Sequence, residues 1–190
     1  MEGTFIQIVK DYFQLGYTHV LPRGFDHILF IVGIFLLNSN LKSVIIQCSV
    51  FTLAHSITLG LAASGYILPN PQIVEPLISL SIFFVAIENI LHNKINAWRL
   101  IVIFLFGLIH GMGFANAIKD IGLSKTHFFG SLLSFNIGVE FGQITIIIAA
   151  YFLIARWFGK KEWYYKRIVY PASGLIGCIA IYWTIERVLL

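Results

Sequence analysis

Long stretches of this chain carry no charged side chain. Residues 43–74, 100–118 and 168–185 contain no Asp, Glu, Lys or Arg. A helix needs roughly 20 apolar residues to cross the hydrocarbon core of a bilayer, and each run reaches or approaches that length. The apolar residues follow one another instead of alternating with polar ones, which favours helices over a β-barrel. The sequence therefore predicts an all-α, polytopic membrane helix bundle.

The overall composition excludes most other classes of protein. Hydrophobic residues make up 58% of the chain and charged residues 12%, whereas soluble globular domains carry about 25% charged residues. A soluble fold of this size could not cover its surface with polar groups, which excludes a soluble enzyme, a nucleic-acid-binding protein and a disordered chain. The expected partner is the lipid bilayer and not nucleic acid, and homo-oligomer formation is left open.

Charged residues between the apolar runs divide the chain into about six expected transmembrane helices. These spans are residues 24–40, 43–65, 73–92, 98–118, 128–155 and 167–188. In residues 1–21 the apolar positions follow helical spacing, and we expect a short amphipathic helix lying at the outer membrane surface. Residues 1–190 then form a single transmembrane domain.

The distribution of basic residues predicts how the bundle is oriented. Loops 38–42, 93–97 and 156–166, with their flanks, hold most of the 13 Lys and Arg residues. Basic residues collect on cytoplasmic loops, so these loops are expected in the cytoplasm. An even number of spans then puts both termini outside, in a bacterial-type inner (plasma) membrane.

Several ionisable side chains fall inside the predicted spans. Such residues are costly in a membrane and are functional candidates for that reason. They are Asp26, His27, His55, Glu88, His110 and Glu140. Gly107 and Gly111 bracket one of the histidines, and Gly138 and Gly142 bracket the last glutamate. This small-xxx-small spacing lets helices approach closely and indicates that the bracketed side chains face the bundle interior.

Uncharged polar residues accompany these candidates. Asn136 and Gln143 lie on the fifth span at helical spacing from the Glu in its middle, so the three share one stripe. Thr52 and Ser56 share a face of the second span with its histidine. We assign these four residues to the surroundings of the site or to a pathway through the membrane.

Depth along the spans predicts which of the ionisable residues meet. With a rise of about 1.5 Å per residue, one set converges in the outer half of the membrane: Asp26, His27, His55, His110 and Glu140. Glu88 lies roughly 20 Å further inward and belongs to a second, cytoplasmic set. Imidazole suits zinc and nickel, and carboxylates suit harder divalent ions. Two carboxylates with neutral histidines also balance the charge of one divalent cation, so we predict a metal site.

Six segments of the chain resemble the HupE/UreJ family of membrane proteins. They are residues 24–30 (GFDHILF), 51–59 (FTLAHSITL), 74–82 (VEPLISLSI), 86–89 (AIEN), 106–115 (FGLIHGMGFA) and 135–143 (FNIGVEFGQ). The resemblance implies a bundle of six to eight helices that handles a divalent metal, and the family is usually described as nickel or cobalt permeases.

The resemblance also suggests roles for single residues. The family's His–Asp–His signature falls on His19, Asp26 and His27, but the first two stand one residue further apart than is usual. We therefore place His19 beside the site or on the pathway. In the hydrogenase-linked branch a further His and a Glu flank the His-Gly pair, and Phe106 and Gly113 occupy those positions here. The metal is left open among nickel, cobalt and zinc.

Two active functions remain from the sequence, beside the alternative of a purely structural subunit. The first is a permease in which a divalent cation loses its water at the predicted site and leaves past Glu88. The second is an intramembrane zinc-dependent hydrolase that uses the same cluster, with Glu140 or Asp26 as general base to a zinc-bound water. Haem ligation by His55 and His110 is disfavoured, because carboxylates would stand beside the axial ligands.

Overall fold

The chain folds into helices in the computed structural model, which describes residues 4–92, 98–114 and 127–189. The helices are α1 (Phe5–Val20), α2 (Phe25–Leu37), α3 (Leu41–Ala63), α4 (Pro71–Leu91), α5 (Arg99–Gly113), α6 (Phe128–Ala150) and α7 (Tyr170–Leu189). A π-helical turn, Tyr151–Ala155, extends α6 into the short helix Arg156–Phe158, and a second, Tyr165–Val169, leads into α7. These ranges contain no strand, so the all-α prediction is confirmed.

Four to five helical segments are long and apolar enough to cross a membrane. Four of them are single segments: α3, α4, Phe128–Phe158 and Tyr165–Leu189. Helices α1 and α2 meet the same criterion only as a pair, and the pair is bent by 66° at its break. Helix α5 is shorter, and residues 115–118 of the expected span 98–118 lie outside the described residues. The predicted count of six therefore stays a prediction.

The surface of the bundle is apolar and its interior holds polar side chains. Leu53, Ile101 and Leu133 are each at least 60% exposed on the outward faces of their helices, whereas His55 and Gln143 are completely buried. Large exposed apolar surface is costly in water and ordinary in contact with lipid. This distribution confirms an integral membrane protein in contact with the bilayer.

Helix α1 packs along the first half of α6, and the two run in the same direction. A Cβ atom on Gly16 would overlap the backbone of Phe135, and a Cβ on Gly138 would overlap the carbonyl oxygen of Phe13. One face of α1, including Tyr12 and Gly16, is buried, whereas Phe5 and Ile6 are more than half exposed. The contact with α6 is close because the glycines allow the two backbones to meet, and the position of this helix at the membrane surface stays a prediction.

Helices α3 and α5 form a second close pair that also runs in one direction. Gly111 lies against the carbonyl oxygen of His55 with no room for a side chain. Thr58 Oγ1 donates to the carbonyl oxygen of Leu108 at 2.8 Å. This contact fixes the position of α5 along the axis of α3, and so places His110 beside the face of α3 that carries His55.

Both ends of the described chain lie at one end of the bundle. Phe5 contacts the ring of His127 at the start of α6, and Arg187 near the end of α7 contacts Glu75 near the start of α4. At the opposite end Tyr165 Oη donates to the carbonyl oxygen of Leu37 at 3.1 Å. The cytoplasmic position of that opposite end stays a prediction.

Arg99, one of the basic residues that flank loop 93–97, does not contribute to a basic loop surface. Its side chain is 1% exposed and forms an ion pair with Glu88. Arg99 therefore no longer counts among the basic residues from which the cytoplasmic side was predicted, because a buried, neutralised charge cannot interact with the membrane surface.

Candidate metal centre

The break between α1 and α2 brings two histidines together. His19 lies in the last turn of α1 and His27 in the first turn of α2, and their ring centroids are 4.7 Å apart. The connecting residues include a cis peptide between Leu21 and Pro22. Membrane proteins often place ion sites where a helix is interrupted, because the interruption frees side chains and backbone groups at depth.

His55 on α3 completes a group of three histidines. One ring nitrogen from each of His19, His27 and His55 lies within 4.8 Å of the other two. Zinc–nitrogen bonds of about 2.0–2.1 Å bring nitrogens on one ion to within roughly 4 Å of each other. A closure of about an ångström by side-chain rotation would thus let one ion contact all three nitrogens.

His110 on α5 adds a fourth imidazole. Its ring centroid lies 5.4 Å from that of His27. Its Nδ1 is 2.9 Å from the carbonyl oxygen of Phe106, and since a carbonyl only accepts, the neutral ring carries its proton on Nδ1. The Nε2 atom is then left with its lone pair, which is the form of the ring that binds a metal.

Buried ring nitrogens of these histidines lack the polar partners that burial normally requires. The Nε2 atoms of His19, His27 and His110 are inaccessible, and none of them has a hydrogen-bond partner in the part of the chain that the structure describes. An unsatisfied buried polar atom costs about 1–3 kcal/mol. Three such atoms in one place have a common explanation if the group binds a cation.

Aromatic rings form the walls around the group. The ring of Phe114 lies 3.9 Å from that of His19, and Phe135 stacks on the ring of His55. Phe51 contacts the rings of both His55 and His110. An apolar wall excludes water, so an ion held here would exchange most of its water ligands for imidazoles.

A cavity of about 420 Å³ reaches the group from the end of the bundle that carries the termini. Its polar lining consists of Thr18, His19, Arg23, Asp26, His27, Glu75 and His110. Arg187 donates to both carboxylate oxygens of Asp26, at 3.1 and 3.0 Å. Asp26 therefore lies at the same cavity as three of the histidines but is held by an arginine.

Glu140 lies apart from the histidines. Its Oε1 accepts a hydrogen bond of 2.6 Å from Ser49, and Ser49 precedes His55 by six positions, or roughly 9 Å along α3. Glu140 is half-buried and does not belong to the group formed by His19, His27 and His55. The structure thus does not bring together all five ligands that the sequence suggested.

The uncharged polar residues lie near the group or inward of it. Thr52 Oγ1 donates to Gln143 Oε1 at 3.2 Å, one turn inward of His55. Asn136 donates to the carbonyl oxygen of Leu132 at 2.8 Å. The hydroxyl of Ser56 donates to its own helix, to the carbonyl oxygen of Thr52 at 2.6 Å. Thr52 and Gln143 thus connect α3 with α6.

Glu88 lies in a separate buried network near the other end of the bundle. Arg99 Nη1 donates to Glu88, and Arg99 Nε donates to Gln47 Oε1 at 2.8 Å. The side chains of Arg99 and Glu88 are 1% and 4% exposed.

Sequence reasoning missed four polar residues at the cavity: Thr18, Arg23 and Glu75, which line it, and Arg187, which contacts Asp26 and Glu75. Glu75 lies near the start of α4 and Arg187 near the end of α7. Both lie near the ends of their spans, as does Asp26, and this similar predicted depth in the membrane was the one signal in the sequence. The side-chain directions that bring the three residues together could not be predicted.

The fold and the site together define a class: an integral membrane helix bundle that buries a group of histidines beside a polar cavity. A family model described as HupE / UreJ protein matches residues 1–187, and the chain belongs to the HupE / UreJ family. The resemblance seen in the sequence is thereby confirmed. Membership implies a membrane protein associated with nickel or cobalt transport. No curated protein and no solved structure matches the chain.

Proposed function

We propose that this protein carries a divalent transition-metal ion, nickel, cobalt or zinc, across the membrane. The ion would bind at His19, His27 and His55, with His110 as a fourth nitrogen ligand. The observation that carries the proposal is the approach of three ring nitrogens to within 4.8 Å in a buried site. Imidazole is a ligand that all three metals accept.

The chemistry of this site suits passage better than permanent storage. Neutral imidazoles do not cancel the charge of a divalent ion, and the carboxylates of Asp26 and Glu75 line the cavity and not the histidine group itself. Conduction requires binding that is strong enough to dehydrate the ion and weak enough to release it. A histidine site with carboxylates only at its approach meets both conditions.

Polar groups inward of the histidines support a route across the bundle. Thr52 with Gln143, and then Ser49 with Glu140, follow within about two turns of α3. The ion pair of Glu88 with Arg99 lies further on. In this proposal Glu140 serves the pathway and not the site, and Glu88 must separate from Arg99 for an ion to leave beside it.

Uptake by reconstituted vesicles tests the proposal. Proteoliposomes that enclose a metal-sensitive dye should take up Ni²⁺ or Co²⁺ with the wild-type protein and lose that uptake with His27→Ala. His127→Ala is a matched control, since His127 lies at the start of α6 beside Phe5. Uptake by His27→Ala at the wild-type rate would contradict the proposal.

An intramembrane zinc-dependent hydrolase is the alternative that the cavity supports. Its volume of about 420 Å³ leaves room for substrate next to the histidines, and zinc lowers the pKa of its bound water to about 7. Asp26 would act as general base once freed from Arg187. Wild-type protein that binds zinc but never exceeds the uptake of empty vesicles would favour this function.

A further inference from the structure

Arg187 occupies the two carboxylates that stand at the approach to the histidines. Its Nη2 donates to both oxygens of Asp26 at 3.1 and 3.0 Å, and its Nε lies 3.7 Å from Glu75 Oε2. Its Nη1 donates to the backbone carbonyl of Glu75 at 3.1 Å, and its guanidinium lies over the ring of Trp183. One side chain on α7 therefore joins α2 and α4 by charge.

The same cavity contains a deeper pair of unsatisfied nitrogens. His27 and His110 are 5% and 2% exposed. Both line the cavity with the two carboxylates, and neither Nε2 has a hydrogen-bond partner among the described residues. A cation bound at Asp26 and Glu75 would thus lie close to further ligands, the two histidine nitrogens. This neighbourhood distinguishes the two carboxylates from an ordinary acidic surface.

We propose that Asp26 and Glu75 form an outer binding site for a divalent cation, and that Arg187 is a tethered cation that competes for it. The inference rests on the proposed function, because it assigns the first binding step of that metal. A metal ion that reaches the cavity displaces the guanidinium from Asp26 and Glu75 and then passes to the histidines.

This competition gives the outer site a preference for divalent ions. The two carboxylates carry two negative charges, of which Arg187 balances one. A monovalent ion gains no charge advantage over the guanidinium that it must displace, whereas a divalent ion interacts about twice as strongly with the same carboxylates. Arg187 therefore acts as a specificity-determining residue for the proposed transport.

Binding of metal to the purified full-length protein tests the competition. We expect Arg187→Gln to bind Co²⁺ about tenfold faster than wild type at low ionic strength, since Arg187 then no longer neutralises the carboxylates of Asp26 and Glu75. Equilibrium dialysis with Ni²⁺ should show an additional, weaker equivalent in this variant. Both effects should disappear when Glu75→Gln is added to Arg187→Gln.

Two further variants serve as controls. Arg156→Gln removes an exposed arginine that stacks on Phe152 and Trp157 near the other end of the bundle, and it should leave rate and stoichiometry unchanged. Arg187→Lys keeps the charge but loses the planar fork that engages both carboxylates, so its association rate should fall between those of wild type and Arg187→Gln. Equal rates for wild type and Arg187→Lys would overturn the proposal even if Arg187→Gln does not fold.

The outcomes separate this inference from the proposed function. When His55→Ala is added to Arg187→Gln, it should remove the metal equivalent bound by the histidines and leave the additional equivalent bound by the carboxylates. An unchanged rate and stoichiometry in Arg187→Gln, or an additional equivalent that survives Glu75→Gln, would overturn the role of Arg187 alone. Loss of neither equivalent in His55→Ala would contradict the histidine site instead.

Discussion

At the scale of single residues, the stability of the fold depends on buried charged side chains remaining paired. Arg99 is almost completely buried beside Glu88 and Gln47. Removing one member of a buried pair is strongly destabilising, because the remaining charge has neither water nor a partner. Replacing both members by apolar residues avoids that cost.

We predict that Arg99→Met lowers the free energy of unfolding by about 3 kcal/mol or more. The double variant Arg99→Met with Glu88→Leu should recover most of the loss. The measurement is denaturant unfolding of the protein in mixed micelles. Arg156→Met is the control, since Arg156 is exposed and its removal should change stability by no more than about 0.5 kcal/mol.

A single variant as stable as the wild type would show that Glu88 does not depend on Arg99. A double variant as unstable as Arg99→Met would show that the loss comes from packing and not from charge.

The same scale shows what the sequence could predict of the site. His27, His55 and His110 were predicted from cost and depth, and the structure brings them together. His19 was set beside the site, because its spacing from Asp26 is unusual, yet the bend between α1 and α2 accommodates the extra residue. Glu140 was expected at the level of the histidines, but Phe128–Phe158 has 31 residues, more than the roughly 20 needed to cross. Depth counted from one end of so long a segment is therefore ambiguous.

At the scale of helices, glycines determine which pairs come into direct contact. Gly16 and Gly138 bring α1 against α6, and Gly111 brings α5 against α3. The sequence predicted close approach at Gly111 and Gly138 from their spacing, but not the partner helices. It also predicted an amphipathic helix in residues 1–21, but not that this helix would pack against α6, since an amphipathic pattern does not identify what covers the buried face.

We predict that Gly111→Ala weakens metal binding and destabilises the fold. A Cβ at this position would overlap the carbonyl oxygen of His55, so α5 must move away from α3 and carry His110 with it. Gly174→Ala is the matched control, because a Cβ there has no atom within 4 Å in the described structure. Alanine in place of a helical glycine should stabilise α7 by about 0.5–1 kcal/mol.

Thermal unfolding and Co²⁺ titration of both variants check this prediction. Gly111→Ala that binds Co²⁺ with wild-type affinity would mean that the level of α5 does not govern the histidine group.

At the scale of the whole molecule, the histidine group lies between two sets of paired charges. Asp26 and Glu75 with Arg187 stand at the end that carries the termini, and Glu88 with Arg99 lies toward the other end. The long uncharged runs allowed the membrane bundle to be predicted from the sequence. The pairing of charges could not be predicted from spacing. Arg187 lies more than 100 residues from Asp26 and Glu75, and Glu88 and Arg99, although 11 residues apart, lie on different helices.

X-ray absorption spectroscopy of the nickel-loaded protein tests the central claim, a metal held by buried histidines, most directly. We predict a first shell that contains three or four imidazole nitrogens in the wild type, with one fewer in His19→Ala and no change in His127→Ala. A shell of oxygen ligands alone, or an imidazole count that His19→Ala leaves unaltered, would contradict this account.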